Sequence, residues 1–532
     1  MTRRNFVGAL AGAPTVLAAR QKRPNIILIM ADDMGFSDLG CYGSEIRTPN
    51  LDRLASRGVR FTQFYSTARC CPTRASLLTG LYPHQAGVGH MTEDYGVASY
   101  RGDLSKNVVT IAEALKPAGY HTLMCGKWHV TPPDEEHRYN WPLERGFERY
   151  YGTIVGAGSF FEPTWLVRDR TRIQADKPGY YYTDALSDQA AEWAGEYSRK
   201  QDPFFLYLAY TAPHWPLHAL PEDIERYKDR YRGGWDALRA ERHKKQIGLG
   251  IVDRRWPLTP RDSRVPAWEQ EKDKDWQARR MAVYAAQIDR LDQGIGRIVR
   301  SLEAAKALDN TLIMFLADNG GCAEELRDTV KGPYVPEGRP LRRGNDPSIM
   351  PGPADTYASY GIGWANASNT PFRLYKHWVH EGGISSPFIA HWPDAIRKQN
   401  SVTNQYGHLV DLMATCVDVG GARYPDSYNG NKITPLEGNS LRPILEGGTR
   451  PVPDRFWEHE GNRAVREGKW KLVSRFPDAW ELYDLEADRT EMNNLASKNP
   501  DIAARLRGKW ETWAKRAGVQ PWEEMSKRQG RT

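Results

Sequence analysis

Four continuous apolar runs constrain the fold of this 532-residue chain more than any other feature. Each is long enough for a strand and contains β-branched or aromatic residues, which is typical of strands buried on both faces of a parallel sheet. Helical patterns alternate with the runs, most clearly over residues 281–307, where apolar side chains follow helical spacing. This alternation predicts a doubly wound α/β fold. The four runs are residues 25–31, 120–125, 204–210 and 311–317.

Polar side chains follow each run directly. The carboxyl ends of parallel strands meet at one edge of a sheet, where open α/β folds bind their ligands. The oxygen donors after the first and last runs suit Ca²⁺ or Mg²⁺ rather than Zn²⁺, although an aspartate after a strand also serves as a helix cap. The oxygen donors are Asp32, Asp33, Asp318 and Asn319, and the cationic or proton-transfer groups are Lys127, His129, His214 and, further along the chain, Lys376.

A cysteine-containing segment lies between the first two runs. Its sequence, Cys-Cys-Pro-Thr-Arg at residues 70–74 followed by an apolar stretch up to Gly80, predicts a loop that enters a helix. The first N–H groups of such a helix point outward and attract anions, and Arg74 adds a guanidinium fork that suits a tetrahedral oxyanion. The structural alternative is a cysteine pair buried beside a helix start.

These groups together predict attack on a phosphate or sulfate ester. A metal, several cations and two histidines would converge on a segment that carries a nucleophile. A thiol mechanism of the phosphotyrosine-phosphatase type would need an arginine at the position of Ser76, counting from Cys70, or of Leu77, counting from Cys71. That mechanism is therefore disfavoured.

Two stretches interrupt the alternation of strands and helices. Residues 222–276 are highly charged and contain tryptophan, which predicts an exposed helical excursion. Residues 324–369 are rich in Pro, Gly and Arg, and a loop of that length inside a domain is usually a lid or a binding loop. Three arginines of this loop are candidate contacts for an anionic substrate, with a solvated surface as the alternative. They are Arg339, Arg342 and Arg343.

The two ends of the chain have sequence patterns that differ from those of its middle. From residue 451 onward, short alternating patterns separated by turn residues predict a small antiparallel sheet, covered by a helix over residues 501–516. At the start, paired arginines precede a weakly apolar, Ala-rich segment, which resembles a twin-arginine export signal and predicts a periplasmic or extracellular location. The predicted organisation is an export signal at 1–19, a catalytic domain at 24–450 and a C-terminal subdomain at 451–532.

Composition excludes some classes of partner. The net charge of +7 arises from 73 basic and 66 acidic residues spread along the chain, without the clustered basic runs of a nucleic-acid reader. No apolar run approaches the length of about 18 residues that a membrane-spanning helix needs. The spacing of the six cysteines fits neither a zinc ribbon nor a dense disulfide scaffold.

The cysteine segment, together with Leu78-Thr79-Gly80, resembles the signature of the type I sulfatases, in which that cysteine is converted to formylglycine. The resemblance covers nearly the whole chain after the signal and is strongest to bacterial arylsulfatases. It implies an alkaline-phosphatase-like fold, with a mainly parallel sheet flanked by helices. The further matching motifs are residues 126–129, Pro213-His214, residues 318–321, and Lys376 ahead of residues 381–383.

The resemblance also implies a site and a reaction. One Ca²⁺ rather than Mg²⁺ would be held by Asp32, Asp33, Asp318, Asn319 and the modified Cys70. The hydrate of formylglycine would attack sulfur, helped by Asp318 and Arg74, while Lys127 and Lys376 spread the sulfate charge. His214, with Lys376, would protonate the leaving alcohol, and His129 would take a proton during release of sulfate. The implied substrate is an aryl sulfate or a sulfated carbohydrate, and the implied maturation partner is a formylglycine-generating enzyme.

Two alternatives stay open from the residues. A phosphonate monoester or phosphodiester hydrolase would use the same scaffold, since a tetrahedral anion at a metal differs little between sulfur and phosphorus. A non-catalytic carbohydrate-binding relative would keep the fold but is expected to have lost one of Cys70, Asp318 and His214, all of which are present.

Overall fold

Ten strands hydrogen-bond into one large central sheet, and a separate sheet of four strands follows it in the chain. The computed structural model describes residues 23–528, so the predicted export signal at 1–19 lies outside the described residues. The strands are β1 Asn25–Ala31, β2 Gly58–Tyr65, β3 His121–Gly126, β4 Arg149–Thr153, β5 Leu166–Arg168, β6 Thr171–Arg172, β7 Phe204–Ala209, β8 Thr311–Ala317, β9 Arg342–Arg343, β10 Thr356–Tyr357, β11 Ser385–His391, β12 Ser401–His408, β13 Ser427–Tyr428, β14 Asn431–Lys432, β15 Arg455–His459, β16 Asn462–Glu467, β17 Trp470–Ser474 and β18 Glu481–Asp484.

Helices connect most of these strands. The α-helices are α1 Pro49–Ser56, α2 Cys70–Thr79, α3 Pro83–Ala86, α4 Ile111–Leu115, α5 Tyr182–Lys200, α6 Pro221–Glu225, α7 Gly234–Gly248, α8 Lys274–Ala304, α9 Gly361–Ser368, α10 Glu381–Ile384, α11 Val410–Val419, α12 Arg442–Leu445, α13 Pro500–Ala517 and α14 Trp522–Arg528. Short 3-10 helices lie at Gly40–Tyr42, Lys116–Ala118, Arg138–Asn140, Pro142–Arg145 and Trp268–Gln270. Between residues 23 and 528, none of the helices combines the length and the apolar character needed to cross a bilayer.

The central sheet has the strand order β12-β2-β11-β8-β1-β7-β3-β4-β5-β6. Its middle strands, β8, β1, β7, β3 and β4, are parallel to their neighbours in that group, whereas β11 runs antiparallel to both β8 and β2. The four apolar runs of the sequence are β1, β3, β7 and β8, so the predicted doubly wound, mainly parallel sheet is confirmed. All four end at the same edge.

Helices cover both faces of this sheet because β1 is apolar on both sides. Ile27 and Ile29 pack into one core with residues of α5 and α8. Their neighbours Ile26 and Leu28 point the opposite way, into a second core with residues of α2 and α11. Successive side chains of a strand alternate between faces, so a continuous apolar run supplies two cores at once.

The predicted C-terminal antiparallel sheet with its covering helix is also confirmed. Strands β15 to β18 form a meander in chain order. One face packs Leu472 and Leu482 against Trp510 and Trp513 of α13. The other face packs against aromatic residues of the central sheet, among them Tyr65 of β2. This small sheet is therefore held between its own helix and the edge of the large one.

Two predictions about the interrupting stretches are only partly correct. Residues 222–276 contain helices α6 and α7 and many exposed residues, as predicted, but one side of the stretch is buried, because Trp235 of α7 packs edge-on against Trp268 at 4.7 Å and Trp364 at 5.4 Å between ring centroids. Residues 324–369 are not loop throughout, because they end in the buried helix α9. The partners that bury these segments lie far away in the sequence. The long helix α8 also begins at Lys274, ahead of the apolar pattern.

Candidate active site

Two adjacent parallel strands place the oxygen donors side by side. Strand β1 pairs with β8 in a register that sets Ala31 opposite Ala317, so the residues that follow the two strands lie next to each other. The N–H of Asp33 donates to Asp318 Oδ1 at 3.0 Å, and Asn319 Nδ2 donates to Asp33 Oδ1 at 2.7 Å. Asp33 has φ 63°, a value uncommon outside glycine that turns the chain sharply here. The predicted carboxylate set therefore converges.

Helix α2 places Cys70 beside this set. The helix begins at Cys70 and all its residues are buried. Thr73 Oγ1 donates to the carbonyl oxygen of Asp318 at 2.7 Å, which joins the first turn of α2 to the end of β8. Arg74 lies one helical turn after Cys70 and therefore on the same face. The predicted loop-to-helix entry is confirmed.

Arg74 holds several parts of the site together. Its Nη1 donates to the carbonyl oxygen of Lys127 at 3.0 Å. Its Nη2 lies 3.3 Å from Asp32 Oδ2 and 3.5 Å from Asp318 Oδ2. The guanidinium is fully buried, so its charge acts with little screening by water. Arg74 therefore contacts the residues that follow strands β1, β3 and β8.

The remaining cations pair with the two adjacent aspartates. Lys127 Nζ lies 2.5 Å from Asp32 Oδ2. Lys376 Nζ lies 2.9 Å from Asp33 Oδ2, and His214 Nε2 lies 3.3 Å from the same oxygen. All these groups are buried. The cluster thus contains three carboxylates and three basic side chains, with His214 beside them.

The electrostatics of the carboxylates differ from one residue to the next. Burial raises the pKa of Asp32, but Lys127, His214 and Arg74 outweigh it and hold the pKa at about 2. Burial and the neighbouring Asp32 and Asp33 raise the pKa of Asp318 well above its ordinary value, although Arg74 and Lys127 oppose the shift. A divalent cation between these carboxylates would offset that repulsion.

Two oxygens of the cluster lack hydrogen-bond partners. Within the described part of the chain, Asp32 Oδ1 and Asn319 Oδ1 are buried and accept no hydrogen bond. Asn319 Nδ2 donates to Asp33 and to the Gly320 carbonyl, which fixes the direction of the bare oxygen. Leaving such oxygens bare is costly, and they are the donors that Ca²⁺ and Mg²⁺ take. The residues present therefore fit a hard divalent cation.

His129 lies between the two cysteines. Its Nδ1 is 3.6 Å from Cys70 Sγ and its Nε2 is 3.3 Å from Cys71 Sγ. A hydrogen bond from Cys71 lowers the pKa of Cys70 well below its ordinary value, and Lys127 and His129 add to this against burial. Gly156 supports the imidazole, because a Cβ there would lie 2.0 Å from His129 Cε1.

The tautomer of His214 follows from its contacts. Nδ1 lies 2.7 Å from the carbonyl oxygen of Trp215, and a carbonyl oxygen only accepts, so Nδ1 carries a proton. Nε2 faces Lys376 Nζ at 3.4 Å. Burial lowers the pKa of His214, with Lys376 adding to the shift and Asp33 opposing it. The imidazole is therefore neutral near pH 7 and accepts from Lys376.

Sequence reasoning missed an ion pair beside the cluster. Arg69, which precedes Cys70, lies 2.8 Å from Glu324, and Trp215 Nε1 donates to the other Glu324 oxygen at 2.8 Å. Glu324 is the first residue of the Pro- and Gly-rich stretch, and this position was the only sequence feature that pointed to it. The three arginines predicted in that stretch as contacts for an anionic substrate each contact another group of the protein. Arg339 pairs with Glu162, Arg342 with Asp355 at 2.9 Å, and Arg343 donates to the Val330 carbonyl at 3.2 Å.

Comparison with known proteins identifies the family. Residues 24–422 match the family described as Sulfatase. The chain belongs to the sulfatase family. The C-terminal part of this sulfatase, residues 372–515, also matches the family described as N-sulphoglucosamine sulphohydrolase, C-terminal. The prediction of a type I sulfatase is confirmed, and the protein is a sulfuric ester hydrolase.

Relatives at about one-third identity cover most of this sulfatase. An uncharacterised sulfatase of Schizosaccharomyces pombe is 33% identical over 540 residues, which covers 94% of this chain and 95% of the relative. An arylsulfatase of Klebsiella aerogenes is 33% identical over 441 residues, covering 80% of this chain and 93% of the relative. The match to the first relative therefore extends over both the central sheet and the C-terminal sheet of this chain.

Solved structures share the fold at lower identity. The crystal structure of Ps i-CgsB in complex with a neocarrahexaose superimposes with a TM-score of 0.67 at 24% identity, covering 94% of this chain and 99% of that one. A second protein, solved with its substrate D-glucosamine-2-N,6-O-disulfate, gives a TM-score of 0.62 at 22% identity and covers 94% of this chain and all of that one. The alkaline-phosphatase-like architecture of the sulfatases is therefore confirmed.

Proposed function

We propose that this sulfatase hydrolyses aryl sulfates or sulfated carbohydrates with a formylglycine formed from Cys70 beside a Ca²⁺ site. The observation that carries the proposal is the pair of bare, buried oxygens on Asp32 and Asn319, next to a helix that begins at Cys70. Sulfate esters are anionic, and a divalent cation added to a cluster with balanced charge makes that cluster net positive.

The cation ligands would be Asp32, Asp33, Asp318, Asn319 and the modified side chain at position 70. A divalent cation there supplies Lewis acidity that neutralises sulfate charge. Ca²⁺ suits the set better than Mg²⁺ because Ca²⁺ accepts flexible, irregular oxygen cages, whereas Mg²⁺ demands near-ideal octahedral geometry and keeps its waters. The site is assembled from two strand ends and a helix start.

The chemistry at position 70 requires an oxygen nucleophile. Formylglycine, once hydrated, supplies a hydroxyl for attack on sulfur and a second hydroxyl for release of sulfate. Lys127 and Arg74 both contact Asp32, which lies beside this side chain. His129 Nδ1 lies 3.6 Å from Cys70 Sγ and is placed to take a proton from the hydroxyl at position 70. We also propose that maturation requires a formylglycine-generating enzyme.

The leaving alcohol needs a proton. We assign its delivery to the pair of Lys376 and His214, whose Nζ and Nε2 atoms lie 3.4 Å apart. Nδ1 of His214 is held by the Trp215 carbonyl, so the ring presents only Nε2 to the site. A proton that Lys376 shares with Nε2 can pass to the departing oxygen.

Replacing His214 by Ala tests this assignment. General acid catalysis is worth about 10²–10⁴-fold and matters most when the leaving alcohol is a weak acid. We expect a large loss of kcat/KM on alkyl or sugar sulfates and a small loss on nitrophenyl sulfate. Equal losses on both classes would remove His214 from the proton pathway. His137→Ala, a partly exposed histidine paired with Asp134, serves as the matched control.

Mass spectrometry of the peptide that contains Cys70 tests the nucleophile. Active enzyme should carry the aldehyde at position 70, with the mass loss that converts CH₂–SH to CHO. Active enzyme that carries only the thiol would disprove the proposal. Paired assays on an aryl sulfate and the matching phosphonate address the remaining alternative, and a higher kcat/KM on the phosphonate would favour it.

We also propose that the enzyme is exported. The twin-arginine-like segment at 1–19 would direct the folded enzyme to the periplasm or the exterior, where sulfated saccharides are accessible. An N-acetylglucosamine-6-O-sulfatase of Bacteroides thetaiotaomicron, 27% identical over 556 residues, supports the saccharide class. Expression of a variant in which Arg3 and Arg4 are replaced by Lys should leave the protein in the cytoplasm. Recovery of that variant in the periplasm would contradict export through this signal.

A further inference from the structure

Three histidines and a glutamate from separate segments meet at the junction of the two sheets. We call them the His459 cluster: His90 from the segment after α3, His377 next to Lys376, His459 from the end of β15, and Glu460 from the turn between β15 and β16. His90 Nε2 lies 2.7 Å from Glu460 Oε1, and His377 Nδ1 lies 3.2 Å from Glu460 Oε2. The rings of His90 and His459 stack with centroids 5.5 Å apart.

His459 is the member of the cluster whose burial is not accompanied by hydrogen bonds to its ring. The residue is 1% exposed, and among residues 23–528 neither of its ring nitrogens has a hydrogen-bond partner. The nearest carboxylate oxygen, Glu460 Oε1, is 3.6 Å from Nε2, which is too long for a hydrogen bond. A buried imidazole without partners is costly. Its free lone pair is a metal ligand that is already in place.

An ordinary buried histidine of the same protein shows the difference. His218 accepts from the N–H of Phe160 through Nδ1 at 3.3 Å, and its Nε2 lies 2.7 Å from the Thr356 carbonyl oxygen. Both of its nitrogens are used by the fold. His459 has the same degree of burial without either contact, so packing alone does not account for its chemistry.

The partners of the other two histidines orient them toward the same point. Tyr95 Oη lies 2.7 Å from His90 Nδ1, which leaves Nε2 facing Glu460. Asn462 Nδ2 lies 3.4 Å from His377 Nε2, which leaves Nδ1 facing Glu460. Ligating histidines in metal sites are held in this way through the nitrogen that does not bind the metal.

We propose that the His459 cluster is a Zn²⁺ site. One ligand atom each from His90, His459 and Glu460 can be chosen so that all lie within 4.8 Å of one another. His377 Nδ1 lies outside that group, 3.2 Å from the opposite Glu460 oxygen, and would complete the donor set by moving toward it. Three imidazoles and one carboxylate are a donor set that suits Zn²⁺ and tetrahedral geometry. Zinc would replace the proton between His90 Nε2 and Glu460, and His90 Nδ1–H would then donate to Tyr95 Oη.

The site would fasten the C-terminal sheet to the wall of the active site. His377 follows Lys376, and the N–H of His377 donates to the Ala68 carbonyl at 2.7 Å, two residues before Cys70. His459 ends β15 and Glu460 lies on the β15–β16 turn, whereas His90 lies in the segment after α3. A zinc ion there would join the two regions without entering the carboxylate cluster, whose donors are oxygens.

Zinc titration by calorimetry, in saturating calcium, tests the proposal. Because unmodified Cys70, Cys71 and His129 form a second possible zinc cluster, the titration uses the full-length Cys70→Ser chain. We expect about one Zn²⁺ per chain, and an affinity at least about 10–100-fold lower in His459→Asn and in Glu460→Gln. His121→Ala, a partly exposed histidine paired with Glu148, should bind zinc as the parent does.

Cobalt substitution identifies the ligands. Co²⁺ bound to histidine and carboxylate should show d–d bands without the thiolate charge-transfer band of a cysteine site. Failure of the Cys70→Ser chain to bind zinc, or unchanged zinc affinity in both ligand variants, would overturn the proposal. If His459→Asn does not fold, Glu460→Gln decides alone, because Glu460 lies on a partly exposed turn.

Discussion

Two buried ionic clusters of this sulfatase contain equal numbers of acidic and basic side chains but differ in how the oxygens of those acids are contacted. The first group, which we call the catalytic cluster, contains Asp32, Asp33, Asp318 and Asn319 with Arg74, Lys127 and Lys376. In it, Asp32 Oδ1 and Asn319 Oδ1 accept no hydrogen bond within residues 23–528. The second group, which we call the Glu381 cluster, contains Glu381, Lys471, Arg489 and Glu491. Both clusters are shielded from water, so burial alone does not distinguish them.

Ion pairs join all four members of the Glu381 cluster, and Glu491 Oε1, which accepts no hydrogen bond within residues 23–528, faces the ammonium of Lys471. Lys471 Nζ lies 2.9 Å from Glu381 Oε1 and 2.8 Å from Glu491 Oε1, and Arg489 Nε lies 2.9 Å from Glu381 Oε2. Tyr65 Oη also donates to Glu381 Oε2 at 2.9 Å. These contacts tie the C-terminal sheet to β2 of the central sheet. Glu381 belongs to a motif that supported the family resemblance, and its contacts are structural.

The two clusters differ in what faces the oxygens that lack a hydrogen bond. Glu491 Oε1 has Lys471 Nζ at 2.8 Å, whereas Asp32 Oδ1 and Asn319 Oδ1 are the oxygens that we propose to hold a cation. A closed ionic network lowers its own desolvation penalty through internal hydrogen bonds. A network that leaves specific oxygens bare depends on a ligand to supply the missing interactions. The first arrangement stabilises the fold, and we propose that the second forms a site for a cation and an anionic substrate.

Replacing Asp318 by Asn should give the largest effect and separate the clusters most clearly. We expect kcat/KM on an aryl sulfate to fall about 10²–10⁴-fold, because a cation ligand and the charge that orders Arg74 are lost. Thermal unfolding in a calcium chelator should show no loss of stability, because the pKa of Asp318 is already raised by burial and by Asp32. Retained activity would place the reaction elsewhere.

Replacing Lys471 by Met should do the opposite. Glu381 and Glu491 would remain buried with one cation fewer, and breaking a buried pair in this way costs about 3–5 kcal/mol of stability. Activity per folded molecule should not change. The control is Lys469→Met, which breaks a partly exposed pair with Asp484 and should cost about 0–1 kcal/mol in chemical denaturation. Equal costs for the two variants would remove the distinction between closed and exposed pairs.

The pH dependence of stability provides a smaller effect at the same junction. Burial and the nearby Arg455 lower the pKa of His408 from 6.5 to about 3. The unfolded chain therefore binds a proton that the native chain does not, so this contribution is complete above pH 6.5 and is lost as pH falls toward 3. The loss amounts to about 1.4 kcal/mol per pH unit. Urea unfolding between pH 7 and 5 should show a shallower dependence for His408→Asn, and an identical slope would contradict the assignment.

The strands and the residue types of the candidate site could be predicted from the sequence, but the partner of each charged side chain could not. The strand ends that deliver Asp32 and Asp318 follow from continuous apolar runs, and the Cys70 helix start follows from its proline and glycine. The exposure predicted for residues 222–276 fails on one side of the stretch, because Arg242 and Trp235 contact distant segments, such as Asp38 at 2.6 Å from Arg242. Helix α9 was missed because its glycines resemble loop residues, whereas the structure buries nearly all of its residues, Trp364 among them.

Pairings such as Lys376 with His214, or Arg69 with Glu324, join residues more than 100 positions apart. Local patterns carry no information about which cation meets which carboxylate, because that is decided by strand order and register. The residue types of the site could therefore be predicted, whereas its hydrogen-bonding deficit required the structure.

Calcium binding by the wild type and by Asn319→Ala tests the central claim most directly. This substitution removes one bare oxygen without changing any charge. Calorimetric titration after dialysis against a chelator should show about one Ca²⁺ per chain for the wild type, much weaker binding for Asn319→Ala, and unchanged binding for the refolded fraction of Lys471→Met. Wild-type protein that binds no calcium, or equal binding by Asn319→Ala, would contradict the account.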